Sequence, residues 1–485
     1  MKNNFKYLER DERKKILLLC DDIRLHSGVG NMGKEIVLNT AQHFNWVNVG
    51  GAIKHKDKGK IIELSEEVNK LTGLEDSSVK IIPTDNYGDA MLIRHLIDTE
   101  KPDAVFIFTD PRYWVWLFEI EREVRSKIPI VYLNIWDDYP APLYNKPYYE
   151  SVDLLMAISK QTKNINEIVL DDKADTKLIE YIPHGVDEEI FYPLDETSEM
   201  YEEFTGFRNK LFPDKDIEFV LFFNSRNIRR KNIPDTILAY RLFCDKIGKE
   251  KAKKCAFILH TQPVDNNGTD LFAVKEALCD PEYVNIYFSS DVLSPEQLNL
   301  LYNVADATIL LTSNEGWGLS LTESLSTGTM IIPTVTGGMQ DQCRFENSNG
   351  EWIDFSPDFP SNHRGNIKKC GNWAVPVFPV VNTLQGSPPT PYIFDDKIKP
   401  EDAAEAILEV YNLSPEERKE RGLNGRNWAQ SEEAGLTSKL MGNRVIEAID
   451  KTLEVFTPRP DYEVIKVQPL PPKYIKHRLV DYSYE

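Results

Sequence analysis

Residues Ser313 to Pro333 read SNEGWGLSLTESLSTGTMIIP. The apolar run ATILLTS leads into the stretch and MIIPTVT closes it. Between these two strand-like runs lie Gly316, Gly318 and a short helical pattern, predicted to start near Ser320 and to stop at Gly328, a residue type suited to the position after a helix. Strand, glycine turn and helix in that order put the turn at the C-terminal edge of a parallel sheet, where open α/β folds bind ligands. Two carboxylates occupy it, Glu315 in the turn and Glu323 in the helix, eight positions apart. Gly316 and Gly318 leave room for backbone amides to reach a phosphate, with a helix N-terminus behind them. Glutamates there accept hydrogen bonds from vicinal hydroxyls, so the pair suits two sugars, or a sugar and a ribose. Ser320-Leu-Thr-Glu323 also reads as a capping box, in which Glu323 only satisfies a backbone donor. Spacing leaves both readings open.

The same strand and helix alternation runs outward in both directions. KILLLC (15–20), WVNVGGAI (46–53), AVFIFT (104–109), IVYLNIW (130–136) and LLMAIS (154–159) read as strands, with amphipathic stretches such as GKEIVLNTAQHF between them. A second series begins at FVLFFNS (219–225) and continues through CAFILHT, VNIYFSS, ATILLTS and MIIPTVT. Alternation of this kind predicts parallel sheets with helices on both faces. With 485 residues, the chain is long enough for two domains of roughly 200 residues each. The expected division is a first Rossmann-like domain over 1–195 and a second over 196–440. The second carries an irregular Gly, Pro and Asn-rich insertion near 346–400. A C-terminal helix and tail over 441–485 are expected to pack back on the first domain.

Hydrophobic residues make up 41% and charged residues 28%, the balance of a soluble globular chain. No apolar run is long enough to span a bilayer, and the charged start MKNNFKYLERDERKK does not resemble an export signal. The six cysteines form no CxxC pair and no zinc-like spacing, which points to a reduced, cytoplasmic setting. A net charge of −20 opposes bulk binding to nucleic acid or anionic lipid. KHKDKGK, from Lys54 to Lys60, is a local basic exception.

Gly28-Val-Gly-Asn-Met-Gly33 matches GxGxxG, the dinucleotide fingerprint. Seven residues separate it from the end of KILLLC, and WVNVGGAIK ends in glycines and Lys54 where a ribose-binding acid is needed. A dehydrogenase is therefore not the reading. What remains is a helix start that an anion can approach closely, or a plain tight turn. In NSRNIRRKN, Arg226 and Lys231 lie five apart just after a strand. Two cations at one sheet edge suit a diphosphate, the arginine as a fork and the lysine as a point charge. A solvated basic loop is the alternative.

In order along the chain, SGVGNM, AISKQTK, YIPHGVDEEIFYP, the Arg226 and Lys231 loop, LNLLYNVADATILLTSNEGWGLSLTESLSTGTMIIPT and Gly337-Gly338 together resemble the family-four group of retaining, nucleotide-sugar-dependent glycosyltransferases with a GT-B fold. The resemblance spans roughly residues 15 to 345. It implies two Rossmann-like domains facing each other across a cleft, with the donor held mainly by the second and the acceptor by the first. By that resemblance, Glu315 contacts donor-sugar hydroxyls and Glu323 the ribose. Arg226 and Lys231 hold the diphosphate and offset charge on the leaving group. Leu319 and Ser320 offer backbone N–H groups to the same phosphate, Gly28 and Gly30 bring the first loop over it, and Val292 stands near the nucleobase. No metal and no cofactor beyond the nucleotide-sugar substrate is implied.

One departure concerns a histidine that the family commonly carries beside an acid. In YLNIWDDYPAP, Trp136 stands in its place and Asp137 keeps the acid. Trp136 can stack on a sugar or base, or simply pack in the core. Asp137 can take over polar contacts, or form a turn with Asp138. The expectation is a hexosyl- or pentosyltransferase that retains anomeric configuration by front-face substitution, acting on a soluble saccharide or other glycan. Two alternatives remain. One is transfer to a hydroxymethylated base in DNA, suggested by the Lys54–Lys60 patch and by Trp114, Trp116 and Trp136 as stacking faces. The other is a non-catalytic nucleotide-binding scaffold.

Overall fold

The computed structural model describes residues 7–52, 54–213, 216–356 and 366–460. The expected tail over 461–485 lies outside the described residues, as does 357–365 of the insertion. The first sheet is built from β1 (Lys14–Asp21), β2 (Phe44–Ala52), β3 (Ile62–Glu63), β4 (Val79–Asp85), β5 (Ala104–Phe108), β6 (Ile130–Asn134), β7 (Leu154–Ala157) and β8 (Leu178–Tyr181). Their order is β3-β4-β2-β1-β5-β6-β7-β8, and every pair is parallel except β3 with β4. The second sheet holds β9 (Phe219–Asn224), β10 (Cys255–His260), β11 (Ile286–Ser289), β12 (Ala307–Leu310) and β13 (Met330–Pro333). It is wholly parallel, in the order β11-β10-β9-β12-β13. Two doubly wound α/β units result, the class read from the alternating pattern. Continuous apolar runs such as ILLL in β1 and FVLFF in β9 are buried throughout because helices cover both faces of each sheet.

The chain passes between the two units twice. At the crossing, Val186 N donates to Leu436 O (3.1 Å) and Ser438 N to Val186 O (2.9 Å), so the outgoing and returning segments pair. The helix Ser438–Val455 then lies on the first unit. Gly442 sits against Asn39, His43 Nε2 is 2.8 Å from Asp450 Oδ2, and Lys451 pairs with Glu180 at 2.7 Å.

The insertion is more regular than its composition suggests. Residues Val381–Ser387 and Thr390–Lys397 form an antiparallel hairpin, β14 and β15. Its return strand bridges the two units. Phe394 N donates to Tyr139 O at 2.7 Å in the first unit, and Asp396 N to Ser313 O at 2.9 Å in the second. Tyr144 of the first unit donates its hydroxyl to Tyr392 O (3.1 Å), with the two rings edge to face at 4.9 Å. These contacts compensate for a hairpin whose outer strand is largely exposed.

Trp136 does not present a stacking face. It is 6% exposed, lies in the first unit's core beside Tyr144, and donates its indole N–H to Asp138 O at 2.9 Å. A buried indole needs such an acceptor, and Asp138 supplies it two residues on. Replacing Trp136 with alanine should lower stability by about 3–5 kcal/mol, seen as a lower urea midpoint, and Trp136→Phe should lose less. Unchanged stability in Trp136→Ala would contradict the core assignment.

Candidate functional site

The site forms where the loop after β9 meets the loop after β12. Ser313 N and Thr312 Oγ1 both donate to Arg230 O, at 2.8 and 2.9 Å. Asn232, in the left-handed region at φ 47°, donates its amide to Ser313 Oγ at 3.0 Å. These bonds zip the two loops together and fix the turn that carries Glu315.

Glu315 is nearly enclosed, with 12% of its side chain exposed. Arg230 Nη1 reaches its Oε2 at 3.0 Å, and Lys231 Nζ closes on the same oxygen. Burial alone would push the Glu315 carboxyl up, but Arg230 and Lys231 outweigh it and hold the group at about 2. Burial pulls Lys231 down while Glu315 pulls it back up. Arg230 also donates to Asn314 O at 2.6 Å, and so grips both the backbone and the carboxylate of the turn. Gly337 (φ 50°) and Gly338 close the turn from behind, where Gly338 N donates to Glu315 O at 3.1 Å. A Cβ on Gly337 would lie 1.9 Å from Glu315 O, so only glycine fits this approach.

The helix that follows spans Leu319–Ser326, with Gly318 (φ 86°) as its N-cap and no side-chain cap bond. The capping-box reading of Glu323 therefore does not describe this structure. Glu323 instead accepts from the hydroxyl of Tyr302 at 2.5 Å. Among the described residues, the first-turn amides of Leu319 and Ser320 carry no hydrogen bond, and they are the positive end of the helix dipole. Burial raises the Glu323 carboxyl to about 7, against the Tyr302 bond that lowers it. The two glutamates thus differ in kind: Glu315 is ionised and clamped by cations, while Glu323 titrates near neutrality.

Of the two cations singled out in sequence, only Lys231 meets Glu315. Arg226 is an exposed side chain paired with Asp265 at 3.1 Å. Arg230, one of three arginines in the loop, was missed. The one-turn helix Arg229–Lys231 turns Arg230 and Lys231 to the same carboxylate, a rotation that residue type does not announce. Val292 is 84% exposed on the loop after β11.

In the first unit, Gly28 opens the helix Gly28–Thr40 behind the N-cap Ser27, whose Oγ accepts from Gly30 N at 3.0 Å. Nothing lies within 4 Å of a Cβ built on Gly28, whereas one on Gly30 would lie 2.7 Å from Leu25 O. Gly28 is open to a ligand, and Gly30 serves its own tight turn.

Asp137 comes to the same place from the other side. Burial raises its carboxyl to about 6, with Arg230 drawing it down and Glu315 pushing it up. Its carbonyl accepts from Gln161 at 2.6 Å, and Gln161 in turn accepts from Gln340 of the second unit at 2.8 Å.

Several of the features that suggested DNA have other roles, while Trp116 is only partly buried against the first unit's core. Lys58 pairs with Asp85 and Lys60 with Asp57, at 2.7 and 2.8 Å. Trp114 and Trp136 are buried. No group of three or more His, Cys, Asp or Glu among the described residues is placed to hold a metal ion. No described helix is long and apolar enough to cross a membrane.

Glu315 lies below its ordinary value of 4.5, so its pairing stabilises the fold above that pH, and the contribution is lost as pH falls toward 2. Arg230→Ala, which keeps Lys231, should begin acid unfolding at a higher pH than the parent, followed by circular dichroism from pH 5 to 2. Superimposed curves would contradict the clamp.

Comparison with known proteins bears on the family and the fold. Residues 206–358 match the family model described as glycosyl transferases group 1, a segment that holds Arg226, Lys231, Glu315 and Glu323. No curated protein matches the chain. Among solved structures, a glycosyltransferase from Rickettsia africae is 16% identical with a TM-score of 0.60, over 92% of this chain and 100% of that one. Sucrose-phosphate synthase from Thermosynechococcus elongatus is 12% identical with a TM-score of 0.61, over 91% and 100%. Anabaena HepE, solved in complex with UDP and glucose, is 13% identical with a TM-score of 0.58, over 90% and 100%. The two units are thus those of a GT-B fold, and the matched segment supports the resemblance to glycosyl transferases group 1 read from the motifs.

Proposed function

We propose that the chain is a glycosyltransferase that moves a sugar from a nucleoside-diphosphate donor to an acceptor hydroxyl. The observation that carries this reading is the clamped Glu315. A desolvated carboxylate, two cations and the open amides of a helix N-terminus share one turn, and Glu323 follows on the second turn of the helix. The amides and Lys231 suit a diphosphate, and the carboxylates suit the hydroxyls on either side of it. Arg226 is a long, exposed side chain on the same loop and exchanges Asp265 for the diphosphate when a donor arrives.

The acceptor enters from the first unit, by way of the open backbone at Gly28 and the half-buried Asp137. Transfer proceeds on the front face of the sugar. The bond from C1 to the phosphate oxygen breaks, the acceptor oxygen bonds C1 from the same side, and its proton passes to the departing phosphate. Lys231 and the helix amides stabilise the charge that grows on that phosphate. Configuration is retained. Asp137, near Arg230, orients the acceptor. A soluble saccharide is the acceptor of choice, because two of the four lysines invoked for DNA are paired with acids and the chain as a whole is strongly acidic.

UDP and UDP-glucose are the first probes, since a structural neighbour carries UDP and glucose, followed by the guanine and adenine counterparts. One base should raise the melting temperature and bind measurably by calorimetry. Lys231→Ala should weaken that binding roughly 10- to 100-fold and Arg226→Ala less, as expected for charged hydrogen bonds lost from buried and exposed sites. No response to any nucleotide would overturn the reading. Binding with neither hydrolysis nor transfer of the sugar would favour a non-catalytic scaffold.

A further inference from the structure

Glu315 is held by two cations and Glu323, among the described residues, by none. From its own helix, from the helix Pro295–Val304 and from β9 with its loop, Tyr302 is the one polar group found acting on the Glu323 carboxyl. Arg426 meets the far end of that helix at Ser326 O, and the acid acting on it is Glu188. Tyr302 is fully buried, its ring edge-on to Phe222 at 4.9 Å and to Phe191 at 6.0 Å. Its hydroxyl accepts from Asn224 Nδ2 at 2.9 Å and donates to Glu323 Oε2 at 2.5 Å. Asn224 is the last residue of β9, two positions before Arg226. One hydroxyl therefore ties the strand that feeds the cationic loop to the helix that carries the second glutamate.

Because Asn224 donates into the tyrosine oxygen, the tyrosine proton is committed to Glu323. That bond occupies one carboxylate oxygen and fixes the rotamer. The other, Oε1, has no partner among the described residues, and the residue is half-buried rather than sealed. An ionised carboxylate with one oxygen pinned and one open accepts from a pair of vicinal hydroxyls; a protonated one loses acceptor capacity.

We propose that Tyr302 is the positioning residue of the donor site, holding Glu323 by one oxygen so that the other, in the ionised state, receives the ribose hydroxyls of a nucleoside diphosphate. The inference rests on the function proposed above and deepens it, since it makes donor affinity depend on pH and on the ribose. Without the tyrosine hydroxyl the carboxyl is as buried and has lost the bond that favours its charge, so it ionises at a higher pH.

The test is calorimetric binding of UDP, or of whichever nucleoside diphosphate stabilises the protein, from pH 6 to 9 for the parent, Tyr302→Phe and Glu323→Gln. Ionisation of the ligand's own phosphate, and of Asp137 and Asp341, is common to all three and cancels in the comparison. The parent should bind more tightly as pH rises through neutrality. Tyr302→Phe should shift that rise to higher pH, losing roughly five- to tenfold in affinity at pH 7 and recovering most of it by pH 9. Glu323→Gln should keep only the dependence common to all three and discriminate less against the 2′-deoxy nucleotide. A Tyr302→Phe profile that superimposes on the parent, or lies uniformly below it with the same midpoint, overturns the positioning role. If Tyr302→Phe does not fold, a Glu323→Gln profile with the parent's pH dependence overturns it. A parent that binds no nucleoside diphosphate at any pH overturns the underlying function instead.

Discussion

The buried charge of Glu315 is the constraint from which the rest of the site follows. A carboxylate taken out of water is costly unless its charge is met at close range, and here a guanidinium and an ammonium meet it on one oxygen. To deliver both, the loop after β9 must turn tightly at Arg229–Lys231 and lie along the loop after β12, which it does through Arg230 O and Asn232. Once those loops are joined, the helix Leu319–Ser326 begins at the same point, with its first amides unspent. The arrangement sets two cations against Glu315 and the nearby Asp137, beside a helix N-terminus whose amides supply positive potential of their own.

The two units are also held against each other at places that bear on this turn. The return strand of the hairpin bonds Ser313 on one side and Tyr139 on the other, so it spans from the base of the Glu315 turn to the loop of Asp137. Asn314 Nδ2 and Lys397 Nζ add bonds to Asp395 and Ser313, each of 3.0 Å. Farther along, Asp341 of the second unit accepts from Lys160 N at 2.9 Å and from Tyr181 at 3.0 Å. A second-unit carboxylate thereby caps a first-unit helix. Burial raises that carboxyl to about 7, so protonation near neutrality loosens one of the ties between the units. Any motion of the two units relative to each other must work against these bonds.

Much of this was legible in the sequence. Apolar runs of β-branched residues announced ten of the strands because strands buried on both faces admit little else. β4 was not announced, since VKIIPTD carries Pro83, which argues against an interior strand. The hairpin was hidden by prolines and glycine in VNTLQGSPPTPYIFDDK and by polar residues on its exposed face. The glutamate pair was legible from its spacing and its glycines. Side-chain direction was not: Arg226 and Arg230 are the same residue type four positions apart, and only the turn between them selects which one meets Glu315. Trp136 illustrates the same limit, because an indole beside an acid reads equally as a stacking platform or as core.

The most direct measurement is a crystal structure of the protein with the nucleoside diphosphate that stabilises it most. The expected result has the diphosphate on the amides of Leu319 and Ser320, Lys231 turned from Glu315 toward phosphate, and the ribose against Glu323. A nucleotide bound elsewhere, with Lys231 still closed on Glu315 and the helix N-terminus unoccupied, would contradict the assignment of this turn as a donor site.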